Sequence, residues 1–387
     1  MIKRELEFKL RQWAQQYPVV TVTGPRQSGK TTVCRVVFKD KPYVSMENID
    51  NREFASSDPH GFLDAYPDGA VIDEIQYVPD LLSYIQTLVD ERNEAGMFIL
   101  TGSRQFEMMG NIAQSLAGRT AVARLLPFSF GEIYAENTDS SLNEVIYRGF
   151  YPRIFDRQLD PTEALSFYLS TYVERDIRQI LAVTDLSRFQ TFMKLCAGRT
   201  GQLLNMHAIS NECGVAHNTV KSWLSVLEES GIVQLMNPWH ANIGKRLVKS
   251  KKLFFLDTGF ACLLLGIHKS GHLNGHPLRG ALFETLIVSE CYKQIYNAGQ
   301  SVAPYFYRDN NGCDVDLLFE RGADLNVCEI KSAMTVTTDF FRNMRKLDKY
   351  TGRVQRKTLI YAGERECVRD DVQIVPWRQI AGRFLET

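Results

Sequence analysis

Leu6, Leu10 and Trp13 recur at helical spacing inside a charged opening segment, MIKRELEFKLRQW, which predicts an amphipathic helix with one apolar face. The pattern then changes to the short apolar run Val19–Val22, stopped by Gly24, and this reads as a buried strand leading into a loop and a helix start. Further strand-like runs follow at Pro42 to Met46, at Gly69 to Gln76 (GAVIDEIQ), at Met97 to Leu100 and from Thr120 (TAVARLLPFSFGEI). Residues 49 to 66 are polar and at best helical, whereas Leu81 to Arg92 carries a helical pattern. Short apolar strands separated by helices predict an α/β unit with an open parallel sheet.

Beyond a polar stretch, Glu136 to Asn143, the pattern is mostly helical. Tyr147 to Pro152 (YRGFYP) is turn-like, and Pro161 to about Ile180 predicts a helix with Tyr168, Tyr172 and Ile177 on one side. Met206 to Cys213 is a short helix and Gly214-Val215 a turn. Ala216 to Ser230 is a second helix whose inner face is Val220, Trp223, Leu224 and Leu227. Gly231 ends it. A strand from Ile232 to Met236, a basic hairpin from Lys245 to Lys252 and a strand from Leu253 to Leu256 complete the order of a winged helix. His217, Asn218, Thr219, Lys221 and Ser222 are then the groove-facing candidates, and Lys245, Arg246, Lys249, Lys251 and Lys252 the phosphate-contacting ones. Winged helices also serve as protein-binding modules and as lids on ATPases. DNA contact is favoured because no acid interrupts the basic cluster.

The last third shows an apolar helix from Gly280 bearing Glu284, a strand at Tyr305 to Arg308, another at Gly312 to Phe319 and a third at Val327 to Lys331. Glu329 and Lys331 are two apart in a strand and so share a face, where Asp316 of the paired strand can meet them. Three carboxylates and a lysine of this kind suit Mg²⁺-assisted phosphodiester hydrolysis: Glu284, Asp316 and Glu329 hold the metal, and Lys331 steadies the hydroxide or the developing charge. Asp314 competes with Asp316 for the ligand role. Phe340 to Thr387 supplies a helix, a strand at Lys357 to Tyr361 and a closing strand–helix pair.

The chemistry most specific to this chain lies at Gly24-Pro25-Arg26-Gln27-Ser28-Gly29-Lys30-Thr31-Thr32, which fits G-x-x-x-x-G-K-[ST] without a mismatch. The glycines let successive backbone N–H groups curl toward an anion, and the following helix adds its positive end. Lys30 reaches the β/γ-phosphates of ATP, and the Thr31 hydroxyl serves a phosphate-bound Mg²⁺. Asp73 and Glu74 stand at the carboxyl end of a strand, where ligands collect on such sheets: Asp73 organises the Mg²⁺ and Glu74 polarises the attacking water. Ser103 or Thr101, at the end of the third strand, is the candidate that orients this water or senses the γ-phosphate. Arg119 is open between an arginine finger serving a neighbouring subunit and an ion-paired surface residue. Arg175, flanked by Glu174 and Asp176, is open between a solvated helix face and a reach toward a nucleotide.

Composition changes this picture little. Lys+Arg and Asp+Glu are equal at 45 each, so any nucleic-acid partner must be met by local patches. The eight cysteines are scattered without a C-x-x-C pair, which favours reduced thiols over a zinc site or disulfide frame. The first residues do not read as a signal peptide, and no apolar run reaches the ~18 residues of a membrane span, so a cytoplasmic location is expected.

GPRQSGKTT, AVIDEIQ, LTGSR, LAGR and LLPFSFGEI, in that order, resemble the prokaryotic AAA-type ATPases that carry a C-terminal DUF4143 region. The resemblance covers essentially the whole chain. It implies an AAA+-like core with Asp73 and Glu74 as the metal-organising and water-activating pair, a sensor at the end of the third strand, and assembly as a homo-oligomer. Asp316, Glu329 and Lys331, with Glu284 on the helix, resemble the PD-(D/E)xK restriction-endonuclease fold, which persists in proteins that only bind DNA. The expected organisation is an AAA+-like P-loop NTPase domain over 1–135, a helical linker or lid over 136–202, a winged helix over 203–270 and a nuclease-like α/β domain over 271–387. The function expected is ATP hydrolysis coupled to DNA binding, with metal-dependent DNA cleavage as a possible addition. The alternative is a nucleotide-controlled switch that binds a protein or DNA partner and cuts nothing. A metabolic P-loop kinase would need an acceptor-binding lid, for which there is no motif.

Overall fold

A computed structural model describes residues 2–102, 115–134, 139–172, 186–240 and 250–385. The chain divides into two compact units: Met1–Phe128 with Glu229–Gly231 and Tyr296–Gln300, and Ser129–Glu228 with Ile232–Ile295 and Ser301–Thr387. No helix among the described residues is long and apolar enough to cross a membrane. All eight cysteines are free thiols.

The first unit is built on β1 (Val19–Thr23), β2 (Tyr43–Ser45), β3 (Val71–Asp73), β4 (Phe98–Gly102) and β5 (Thr120–Arg124). They form one sheet in the order β2-β3-β4-β1-β5, and every pairing is parallel. Period-two alternation sends side chains to two separate cores. Val19, Ile72, Phe98 and Leu100 join Phe62, Leu81 and Ile85 on one face. Val20, Val22, Val71 and Ile99 meet Leu6, Leu10, Val33 and Val37 on the other, so the opening helix Glu7–Ala14 packs on the sheet as its apolar stripe predicts. Parallel strands aligned in this way bring their carboxyl ends to one edge. The loop after β1, the acidic residues after β3 and the end of β4 are therefore neighbours.

The second unit holds a nine-stranded mixed sheet, in which the strands of the expected winged-helix segment and those of the expected nuclease-like domain are joined. Its strands are β6 (Gln202–Leu203), β7 (Val233–Pro238), β8 (Lys252–Phe255), β9 (Tyr305–Arg308), β10 (Asp314–Arg321), β11 (Asp324–Lys331), β12 (Val354–Tyr361), β13 (Cys367–Arg369) and β14 (Val372–Pro376). The spatial order is β13-β14-β12-β11-β10-β9-β7-β8-β6. β7 pairs antiparallel with β8 and parallel with β9, which makes it the join. A register shift between Val315 and Leu318 interrupts the pairing of β10 with β9, and Asp316 sits in that irregularity. Such bulges re-aim side chains, often beside functional sites.

The helix His217–Glu229 buries Val220, Trp223, Leu224 and Leu227, the inner face read from the sequence. Trp223 meets Phe189 and Phe192 of the helix Leu186–Ala197, with ring centroids 5.2 and 5.3 Å apart. Asn218, Lys221 and Ser222 are exposed on the opposite side, while His217 and Thr219 are half-buried. Asn205 caps the preceding helix, Met206–Cys213, by accepting from the Ala208 N–H at 3.0 Å. Lys245, Arg246, Lys249 and Arg175 lie outside the described residues.

Trp223→Ala removes the largest ring from this helix contact. It should cost about 3–5 kcal/mol of stability, seen as a lower urea midpoint by circular dichroism; a loss well under 1 kcal/mol would show that the ring is not part of a packed core.

Candidate functional site

At the carboxyl edge of the first sheet the loop after β1 curls over the start of the helix Lys30–Val37. Gly24 has φ +144°, and a Cβ there would lie 2.1 Å from the Leu125 carbonyl oxygen, so only glycine lets the chain leave β1 beside β5. Gly29 caps the helix in the left-handed region at φ +93° and offers no capping side chain, which leaves the first-turn N–H groups available to an anion. The Ser28 hydroxyl is buried and has no hydrogen-bond partner. Arg4 braces the loop from behind: its guanidinium donates to the Ser28 carbonyl at 2.7 Å and to the Leu126 carbonyl at 2.7 Å.

Lys30 is buried and turns back on the loop, donating to the carbonyls of Gly24 at 2.9 Å and Pro25 at 2.8 Å. Burial lowers its pKa to about 8, against the opposing pull of Glu74 and Asp73. Thr31 donates to both carboxylate oxygens of Asp73 at 3.1 Å. Tyr43 donates to Asp73 Oδ2 at 2.7 Å, and Thr101 donates to Oδ1. Burial, then the Asp73 hydrogen bond, pushes the Tyr43 hydroxyl above its ordinary range, so it stays a donor. Glu74 follows in the left-handed region at φ +56°. Its N–H donates to the Thr101 hydroxyl at 3.4 Å, and its carboxylate accepts from the Gln76 amide.

Lys30, Thr31, Asp73, Glu74 and Thr101 are thus brought together. Thr32 is exposed in the first helical turn. Ser103, the other sensor candidate, lies outside the described residues. Arg119 does not join the group: it precedes β5 at the opposite edge of the sheet from the loop, and it is ion-paired with Asp90, Nη2 to Oδ2 at 2.7 Å. Within the chain it fills the second of the two roles left open by the sequence. Tyr43, Gln76 and Arg4 were not singled out, because each reaches the site only through strand order or across the fold. The orphaned Ser28 hydroxyl, the uncapped helix start and the Thr31–Asp73 pair suit a magnesium–polyphosphate. Thr31 and Asp73 would hold the ion, with phosphate and water completing its shell.

A second group of charges lies in the second unit. Lys331 donates to Asp316 Oδ2 at 3.0 Å and to Glu329 Oε2 at 2.5 Å, so the two-residue spacing does place them on one face. The Ile330 N–H also donates to Asp316 Oδ2, at 2.8 Å. Glu284, from the long helix Arg279–Asn297, meets a residue read differently from the sequence: Lys252. Its Nζ lies 3.5 Å from Glu284 Oε1, 3.5 Å from Asp314 Oδ1 and 3.9 Å from Asp316 Oδ1. Lys252 is 3% exposed, so it is not a phosphate contact on a wing. It is the first residue of β8, a strand paired on both sides and buried along its whole length, although the basic run around it reads as solvated.

Burial pushes Glu284 up to about 7, reinforced by Asp316 and opposed by Lys252 and Lys331. Burial and Asp316 push Glu329 well up. For Asp316, burial acts upward, but Lys331 and Lys252 together hold it below the usual range. Both lysines stay protonated: burial lowers them, and the carboxylates more than reverse it. Among the described residues no group of three or more Asp, Glu, His or Cys side chains is arranged to hold a metal ion. Glu284, Asp316 and Glu329 as they stand do not fit a resident divalent ion, because two ammonium groups already hold these carboxylates.

A parallel sheet whose acidic strand is separated by one strand from a strand feeding a G-x-x-x-x-G-K-T loop defines a P-loop ATPase of the AAA class. An AAA-domain model matches residues 16–134, a domain of unknown function (DUF8612) residues 139–271, and a second (DUF4143) residues 279–380. Over 387 residues the chain is 30% identical to Uncharacterized protein Rv2008c of Mycobacterium tuberculosis and to Uncharacterized protein Mb2031c of Mycobacterium bovis, covering 98% of this chain and 84% of each relative. It therefore belongs to the family of prokaryotic AAA-type ATPases with a C-terminal DUF4143 region. Among solved structures it is similar to the Walker-type ATPase PABY2304 of Pyrococcus abyssi, at 15% identity and a TM-score of 0.42, over 67% of this chain and 94% of that one. Another is the RuvB Holliday junction branch migration motor of Thermotoga maritima, at 18% identity and a TM-score of 0.31, over 61% and 90%.

The position of Lys30 gives a pH signature. A bound polyphosphate favours the ammonium form and raises its pKa, so binding must take up protons wherever the free site is partly neutral. ADP binding should take up roughly half a proton near pH 8 and almost none at about pH 6. Calorimetry in buffers of different ionisation enthalpy checks this, and the uptake should vanish in Lys30→Met.

Proposed function

We propose that this protein hydrolyses ATP in its first unit and uses the nucleotide cycle to control DNA binding by the second. The observation that carries the ATPase reading is the convergence of the Thr31, Tyr43 and Thr101 hydroxyls on Asp73, with Glu74 next in the chain. Mg²⁺, when bound, neutralises charge on the β- and γ-phosphates. Lys30 would exchange its two loop carbonyls for phosphate oxygens, and Thr31 and Asp73 would hold the ion. Glu74 takes the proton of the attacking water, and Thr101 fixes the backbone from which Glu74 projects. Catalysis here is positioning and electrostatics rather than covalent chemistry.

The DNA reading rests on the helix His217–Glu229. Its inner face is buried, and it exposes Asn218, Lys221 and Ser222 together on the outside, a polar face of the kind that can meet base edges in a major groove. Two versions of this reading differ in whether DNA is cut. The ion-paired Asp316, Glu329 and Lys331 favour cleavage. The buried Lys252 among Glu284, Asp314 and Asp316 favours binding without cutting, and that is the version taken here.

Glu74→Gln should keep nucleotide binding while lowering ATP turnover by roughly 10²–10⁴-fold, measured by phosphate release beside a binding isotherm; unchanged turnover would remove Glu74 from the mechanism. In a second assay the protein is incubated with double-stranded DNA and Mg²⁺ or Mn²⁺, with and without ATP. Binding should weaken steeply with salt and fall further in Lys221→Glu, with the DNA intact. Cleavage that disappears in Lys331→Ala would reverse the choice between the two versions.

A further inference from the structure

The carboxylates of the second unit are supplied by elements far apart in sequence: Glu284 by a helix, Asp314 and Asp316 by β10, Glu329 by β11. Glu284, Asp316 and Glu329 have little access to water, and three such carboxylates, with the half-buried Asp314 beside them, would ordinarily call for a metal ion or for neutralising partners. Here the partners are two lysines of unlike standing, with Arg308 as a further cation on Asp314 at 3.6 Å. Lys331 is on the same strand as Glu329, and its side chain is 31% exposed. Lys252 comes from a different part of the sheet, its side chain is 4% exposed, and its ammonium is shared among three carboxylates at 3.5, 3.5 and 3.9 Å. It also lies 5.3 Å from the centroid of the Phe306 ring, whose face favours a cation.

The placement is fixed by the backbone. β8 is the middle strand of β7-β8-β6, and Lys252 is paired on both sides, with Met236 and with Leu203. The residue therefore cannot leave the cluster by a loop movement. Asp316 is divided between the two lysines, Oδ1 facing Lys252 and Oδ2 facing Lys331. Glu329 is 1% exposed and its Oε1 has no hydrogen-bond partner, so this carboxylate retains a buried acceptor in reserve.

We infer that Lys252 is a built-in counter-ion that closes this cluster to divalent cations, and that removing its charge opens a site for one Mn²⁺ or Mg²⁺ bounded by Glu284, Asp316 and Glu329. A divalent ion entering the wild-type cluster would face a fixed ammonium within contact distance of the same oxygens, with little water to screen the repulsion. A neutral, slightly shorter side chain such as methionine removes that repulsion. Glu284 then loses its ammonium partner and Asp316 keeps only Lys331, so the cluster is left short of positive charge. This inference does not depend on whether DNA is bound or cut.

The test uses the full chain without nucleotide, with Asp73→Asn in every arm to silence the first unit, and Mn²⁺ as the probe, counted by electron paramagnetic resonance of the free ion. The Asp73→Asn parent should bind no Mn²⁺ at the cluster. Adding Lys252→Met should create one site per chain, at least tenfold tighter than any binding by the parent. Adding Asp316→Asn to that variant should abolish the site, and Lys252→Arg, which keeps the charge, should leave the cluster closed. Mn²⁺ binding by the parent that Asp316→Asn removes would overturn the inference, as would a folded Lys252→Met variant that gains no site. If Lys252→Met does not fold, the parent decides: its melting temperature should be insensitive to Mn²⁺, and a rise with Mn²⁺ that Asp316→Asn abolishes would overturn the proposal.

Discussion

The first unit depends on one insertion: β4 lies between the strand that feeds the phosphate loop and the strand that ends in Asp73. Were β1 and β3 adjacent, there would be no strand end between the loop and the acidic pair, and no hydroxyl to reach Asp73 from that side. With β4 in place, Thr101 bridges the Glu74 backbone and the Asp73 carboxylate, and Thr31 arrives from the opposite side. Asp73 is then satisfied by hydroxyl donors alone. These can be given up to water and phosphate without leaving an ion pair broken, which suits the metal-holding role proposed for Asp73.

The second unit treats its carboxylates in the opposite way. Glu284, Asp316 and Glu329 are held by ammonium groups rather than hydroxyls, in surroundings where an unpaired charge would be costly. The irregular pairing of β10 with β9 turns Asp316 so that one oxygen can meet each lysine. Both arrangements use an aspartate at a strand end or bulge, but one is exchangeable and the other is locked. The contrast in partners, rather than the number of acids, separates a nucleotide site from a charge-balanced core.

Legibility in the sequence followed the range of the interactions. The phosphate loop was readable because Gly24 to Thr31 are contiguous and each residue type answers to local geometry. The Glu329–Lys331 pair was readable because two residues along a strand always share a face. The inner face of the helix His217–Glu229 followed from its period. Tyr43 was not readable, since its hydroxyl meets Asp73 only once β2 is known to lie beside β3. Lys252 was read as solvated because five basic residues surround an apparent hairpin. Only its membership of β8, paired on both sides, turns it into the interior. The division into domains drawn along the sequence also gives no hint that β7 and β9 join two of those segments in one sheet.

Arg4 carries a consequence of its own. A guanidinium from ahead of the first helix holds both the back of the phosphate loop and the turn after β5, so the start of the chain is a clasp on the nucleotide pocket. Loss of the Arg4 guanidinium is then an alteration to the pocket's framework. Arg4 thereby shapes the loop without itself reaching the phosphates.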